Sequence, residues 1–163
     1  MNIRKVTLED AAQITEIYNY YIKNTHHTFE TEPLSLEETI ERINKVTAVY
    51  PYLVAEEDGE ILGYAHAGRF KLRQAYEHSC EVMIYVKNDA KKRGVRTNLY
   101  LDLFNLLEEI NIHVMIAGIA LPNDSSVKFH EILGFTKAAH FKEIGYKLGR
   151  WFDVGYWQLI NRA

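Results

Sequence analysis

The chain has 163 residues, 47% of them hydrophobic, with a formal net charge of −3. That length suits one compact domain, 1–163, with a core that needs no disulfide or metal, and the slightly acidic balance gives no field for holding nucleic acid. Cys80 is the one cysteine, so no internal disulfide forms; MNIRKVTLEDAAQ lacks a signal-peptide core, and no apolar run reaches the roughly 20 residues of a membrane span, so a cytoplasmic protein is expected.

Asn2 to Val6 alternates apolar and polar and reads as a strand. Thr7 with Asp10 offers a capping box before a helix over Leu8 to Lys23, where Ala11, Ile14, Ile17, Tyr18, Tyr21 and Ile22 repeat at helical spacing. A polar loop with His26, His27, Phe29 and Glu30 follows, and Ser35 with Glu38 opens a second helix. Tyr52 to Glu56 and Ile61 to Ala67 flank the turn signal Glu57-Asp58-Gly59-Glu60 and read as a hairpin. Ala75 to Val86 reads as a long strand, Asn88 to Arg96 as a basic loop, and Thr97 to Ile110 as a helix.

Val114 to Ala120 is an apolar run of strand length, broken at Pro122. Asn123 or Asp124 caps a helix that Gly134 ends. Two β-rich stretches, Phe135 to Lys147 and Phe152 to Leu159, close the chain. The order β-αα-βββ-α-β-α-ββ predicts an α/β fold with a mixed central sheet and helices on both faces.

The strings IYNYYIKNTHHTFETEP, FKLRQAY, IYV, IALPNDSSVKFHEILGF and FKEIGYKLGRWFDVGYWQ run in order from about Ile17 to Gln158. Together with the element order they resemble the phosphinothricin / methionine sulfoximine acetyltransferases of the GNAT superfamily. The resemblance implies a dimeric enzyme that passes acetyl directly from acetyl-CoA to the α-amine of a small amino-acid-like molecule, with no metal.

It also implies a site. The stretch Lys91, Lys92, Arg93, Gly94, Val95, Arg96 and Thr97 stands where the superfamily cradles the CoA pyrophosphate at a helix start, a place that favours anions by its free N–H groups and dipole. Arg96 replaces the usual second glycine; its Cβ obstructs phosphate, or its guanidinium holds one. The backbone groups of Ile84, Tyr85 and Val86 are expected to hold pantetheine and the thioester oxygen. Glu81, four residues before Tyr85 and on the same strand face, is the expected general base, with a pKa raised by an apolar setting. His130 is expected to protonate the leaving thiolate. Asn123 is expected to bond the pantetheine arm as well as cap its helix.

Lys71 and Arg73 are the expected carboxylate contacts, sharing a face if their segment is a strand; Phe29 and Glu30 are the expected pocket wall. His26 and His27, adjacent and without matching ligands, predict no metal site. Cys80 has no nucleophile partner, and Trp151 and Trp157 read as core or dimer seam. Two other readings stay open: the same chemistry on another amine (a polyamine, an aminoglycoside or a protein N-terminus), or a module that binds acyl-CoA as a sensor without catalysis, which Arg96 favours.

Overall fold

The computed structural model describes residues 1–90 and 94–162. Its strands are β1 (Asn2–Lys5), β2 (Tyr52–Glu57), β3 (Glu60–Arg69), β4 (Ser79–Val86), β5 (Val114–Leu121), β6 (Thr136–Lys147) and β7 (Arg150–Ile160). The helices are α1 (Ala11–Asn24), α2 (Leu36–Thr47), α3 (Val95–Glu109) and α4 (Asp124–Ile132). The strands form one mixed sheet in the order β1-β2-β3-β4-β5-β7-β6, in which β4 and β5 are parallel.

The chain divides into two compact units. The first comprises Met1–Asn19, Leu34–Gly68 and Val82–Asn111; the second comprises Tyr20–Pro33, Arg69–Glu81 and Ile112–Ala163. Strand β4 contributes to both.

In the first unit both expected capping boxes form. Ser35 Oγ accepts from the Glu38 N–H while Glu38 returns a bond to the Ser35 N–H. The Thr7–Asp10 box instead opens a 3-10 turn, Leu8–Asp10, and α1 begins only at Ala11. A partly buried ion pair holds this turn. Asp10, 5% exposed, accepts from both terminal nitrogens of Arg4 at 2.8 Å and from the Thr7 N–H at 2.8 Å. Arg4 also donates to Glu56 from Nε, which ties β1 to β2. The β2–β3 turn is the expected tight hairpin: Asp58 and Gly59 both take positive φ, 52° and 83°, which matches the twist of the strands. Strands β2 and β3 are buried on both faces, with Val54, Ala55, Ile61 and Ala65 in the core, and α3 buries Leu99, Leu103 and Leu107.

In the second unit β5 pairs with β7 over its whole length, Val114 with Ile160 through Leu121 with Asp153. Strand β4 joins by three parallel pairs, Ser79–Val114, Cys80–Met115 and Glu81–Ile116. The long strand expected from Ala75 starts instead at Ser79, because Gln74–Tyr76 closes into a 3-10 turn. Strand β6 pairs with β7 but bulges between Phe141 and Gly145. Cys80, Met115, Ala117, Phe135, Phe152 and Trp157 are buried.

Candidate active site

Strand register builds the acidic part of the site. Glu81 stands opposite Ile116, and Gly118, two residues on and therefore on the same face, stands opposite Tyr156. Three neighbouring strands thus present Glu81, Gly118 and Tyr156 in one row. A Cβ on Gly118 would lie 3.2 Å from Tyr156 Cε1 and 3.6 Å from Glu81 Oε1. The absence of a side chain at 118 is what lets carboxyl and phenol sit beside each other.

Burial raises the Glu81 carboxyl above the usual glutamate range, and the Lys71 charge offsets part of that rise. Burial likewise raises the Tyr156 phenol, and the Glu81 charge adds to it. A half-buried carboxylate of raised pKa is the kind of group that takes a proton from an amine near neutral pH.

Lys71 and Arg73 are exposed and lie in a loop, not on a strand, so the shared strand face expected for them does not exist. Lys71 acts on Glu81; Arg73 begins the 3-10 turn. Phe29 packs on the β6 bulge, where its ring occupies the space that a Cβ on Gly145 would need. Behind it, Lys147, 4% exposed, donates from Nζ to the Thr28 carbonyl at 2.7 Å. Burial lowers the Lys147 amine and Glu30 pulls it back up, which places Glu30 and Lys147 within electrostatic reach of each other.

Asn123 caps α4, its Oδ1 accepting from the Ser126 N–H at 3.3 Å. His130, 3% exposed, donates from Nδ1 to the Ser126 carbonyl at 2.8 Å, one turn back on the same helix. Phe129 and Phe135 meet its ring edge-on. A carbonyl only accepts, so that bond places the ring proton on Nδ1. His26 and Trp157 have structural posts: His26 stacks on Phe152 and bonds the Pro122 carbonyl, and Trp157 donates to Glu131. Burial pushes the Cys80 thiol up to about 12, with Glu81 adding to the rise, so it supplies no thiolate.

The first unit carries the other expected residues. Gly94 takes a left-handed φ of 70° and caps α3, whose first residue, Val95, is buried. Among the described residues the nearest atom to a Cβ on Gly94 would be Asn98 Nδ2 at 4.0 Å. Arg96 is half-buried and Thr97 exposed. Gly94 thus stands at the N-terminus of a 15-residue helix, where free N–H groups and the helix dipole favour an anion. Lys91, Lys92 and Arg93 lie outside the described residues. Ile84, Tyr85 and Val86 end β4; a Cβ on Gly63 would lie 2.9 Å from the Tyr85 carbonyl oxygen, so β3 approaches β4 closely at this point.

The family model for the "Acetyltransferase (GNAT) domain" matches residues 3–155. The chain belongs to the GNAT acetyltransferase family.

The acetyltransferase is 39% identical to the phosphinothricin N-acetyltransferase of Streptomyces viridochromogenes, over 97% of this chain and 86% of that one. Among solved structures, it is similar to the phosphinothricin acetyltransferase of Sinorhizobium meliloti in complex with AcCoA, at TM-score 0.94 and 34% identity over 98% of this chain and 87% of that one. It is equally similar to a protein of Brucella melitensis named ribosomal-protein-alanine N-acetyltransferase, at TM-score 0.95 and 33% identity over 99% and 100% of the two chains.

The sequence pointed to Glu81, Lys71, Phe29 and Glu30. It gave no sign of Gly118, Tyr156 or Lys147. Gly118 is a glycine inside a strand run and Tyr156 directly follows Gly155, and neither is marked out until the register of β5 and β7 is known.

Proposed function

We propose that this acetyltransferase transfers acetyl from acetyl-CoA to the α-amine of a small amino-acid-like acceptor of the phosphinothricin or methionine sulfoximine type. The observation that carries the reading is the Glu81 carboxyl, raised by burial and partly offset by Lys71, beside Tyr156 over a bare Gly118.

The amine must arrive neutral. Glu81 takes its proton through a water, and Lys71 and Arg73 orient the acceptor carboxylate, which their charge suits. Phe29 and Glu30 form the pocket wall. Acetyl-CoA supplies an activated acyl group; Gly94, Val95, Arg96 and Thr97, with Lys91, Lys92 and Arg93, hold its phosphates, and Asn123 holds its pantetheine arm. Backbone groups from Ile84 to Val86, centred on Tyr85, hold pantetheine and donate to the thioester oxygen as charge builds there. His130 protonates the departing sulfur.

The Brucella protein's name suggests the same chemistry on a protein N-terminus. A carboxylate next to the reacting amine distinguishes free amino acids from such a chain end, and the Lys71 charge beside Glu81 supports the free amino acid. The test is free-thiol release with acetyl-CoA and a panel: phosphinothricin, methionine sulfoximine, methionine sulfone and an alanine-initiated peptide. Turnover of the first three and not the peptide supports the reading; turnover of the peptide alone overturns it. Micromolar acetyl-CoA binding without any thiol release would favour the sensor reading that Arg96 suggests.

The working form we propose is a cytoplasmic homodimer. The buried Cys80 thiol suits a reducing compartment, and no helix among the described residues is long and apolar enough to cross a membrane. Phe141, Ile144, Tyr146, Leu148 and Trp151, all exposed on and around β6 and β7, offer the apolar surface that a second copy would cover. Light scattering across a concentration series reads the mass directly.

A further inference from the structure

Within the second unit, two polar groups stand beside each other without bonding to the protein. Neither the Glu81 carboxylate nor the Tyr156 hydroxyl makes a hydrogen bond with another described residue. Both side chains are only partly exposed. No buried side-chain nitrogen or oxygen among the described residues lacks a partner, so both polar ends open onto accessible space.

That space is the floor left by Gly118, which is itself exposed. Glu81 Oε1 and Tyr156 Cε1 both fall within 4 Å of the point where a Gly118 Cβ would stand. Cε1 is the ring carbon next to the one that bears the hydroxyl. A small group resting on Gly118 therefore meets carboxylate and phenol together.

The phenol is held in place and held neutral. Phe141 meets the Tyr156 ring edge-on, with centroids 5.8 Å apart and planes at 87°. Burial, with the Glu81 charge, keeps the hydroxyl protonated at physiological pH. A neutral hydroxyl both donates and accepts.

Acetyl transfer asks more of an amine than the loss of a proton. A neutral primary amine has one lone pair and two N–H bonds. The lone pair must point at the thioester carbon, and its direction is fixed only when both N–H bonds have acceptors. Glu81, through a water, provides for one of them.

We propose that Tyr156 is a further catalytic residue of the transfer: its hydroxyl oxygen accepts the second N–H of the acceptor amine, which turns the lone pair toward the thioester carbon. The inference rests on Glu81 as the base. The N–C bond forms and the C–S bond breaks. One N–H proton passes through water to Glu81, and the departing sulfur takes its proton from His130. Tyr156 keeps its own proton, and the N–H it holds is the one that remains on the product amide.

Free-thiol release from acetyl-CoA with methionine sulfone tests this in Tyr156→Phe, Glu81→Gln and the double variant. Tyr156→Phe keeps the ring on Phe141 and removes only the hydroxyl. It should lower kcat about five- to tenfold, the worth of one neutral hydrogen bond, with acetyl-CoA KM and melting temperature held. Residues that act together on one atom do not add, so on the Glu81→Gln background the same change should cost less than about twofold. An unchanged kcat in Tyr156→Phe overturns the inference. So does an equal loss on both backgrounds, because the hydroxyl would then act apart from the base. Failure of the base is read separately: if Glu81→Gln keeps its rate, Glu81 is not the base and the inference falls with it. A large loss there beside a silent Tyr156→Phe removes the hydroxyl alone. If the unmodified enzyme acetylates none of methionine sulfone, methionine sulfoximine and phosphinothricin, both fall.

Discussion

The two units hold their expected ligands by different means. In the first, the parts assigned to the pyrophosphate and the thioester oxygen of acetyl-CoA are mostly main chain: a glycine of left-handed φ at Gly94, the start of α3, and the last residues of β4 beside Gly63. In the second, the parts assigned to the acceptor are side chains whose ionisation is set by burial and by one another, Glu81 with Lys71 and Tyr156, and Lys147 with Glu30. A backbone cradle recognises what all CoA substrates share. A set of tuned side chains recognises one acceptor. Substitutions should therefore separate cleanly into those that move acetyl-CoA binding and those that move the acceptor.

The largest expected effect is on the acceptor side. Glu81→Gln should lower kcat/KM for the acceptor by about 10²–10³, the range for loss of a general base, with acetyl-CoA affinity held. The active form of Glu81 is the carboxylate, so rate in the unmodified enzyme should rise with pH through a pKa above the usual glutamate value. Lys71→Ala removes the charge that lowers that pKa, so the rising limb should move to higher pH. A pH–rate profile of the three proteins measures both, and a limb that stays in place in Glu81→Gln would remove Glu81 from the base role.

A control on the first unit is nearly as large but acts on stability alone. Asp10→Asn should cost roughly 2–3 kcal/mol in urea unfolding, because Arg4 and the Thr7 N–H lose a charged acceptor. Burial raises the Asp10 pKa, but Arg4 and Thr7 outweigh it and the net shift is downward. Its contribution is thus complete above the unfolded-state pKa and is lost as pH falls through the folded one. The acid limb of stability should flatten in Asp10→Asn.

Next in size is the cradle itself. Arg96→Gly should weaken acetyl-CoA binding about tenfold, the worth of one charge-assisted phosphate contact, and leave acceptor KM unchanged. Tighter binding would mean that the Arg96 side chain obstructs the phosphate. The smallest effect is expected from Gly118→Ala. A methyl 3.2 Å from the Tyr156 ring and 3.6 Å from Glu81 Oε1 should raise acceptor KM a few-fold without touching acetyl-CoA. Parallel changes in both constants would blur the contrast between the units.

Much of this was legible before any coordinates. Element order, the two capping boxes, the Asp58-Gly59 hairpin and the placing of Glu81 on a strand all follow from short-range pattern. What stayed hidden is long-range. Lys147 reaches Thr28 across 119 positions, and no periodicity encodes a buried amine bonded to a distant carbonyl. Tyr156 and Gly118 matter only through the β5–β7 register. Helix α3 starts at Gly94–Val95 rather than at the expected Thr97, because glycine and threonine are about equally good N-caps and local pattern does not choose between them. The β-like texture after Ala75 was overridden by the 3-10 turn at Gln74–Tyr76.

The buried cysteine has a practical side. An enzyme that frees a thiol at every cycle works in a growing pool of reactive sulfur, and a surface cysteine would be capped by it or consume the dye that reports it. Cys80 is wholly enclosed and stays protonated far above physiological pH. The protein is thereby immune to mixed disulfides with its own by-product, and a disulfide chromogen added to the native enzyme counts turnover with no protein blank.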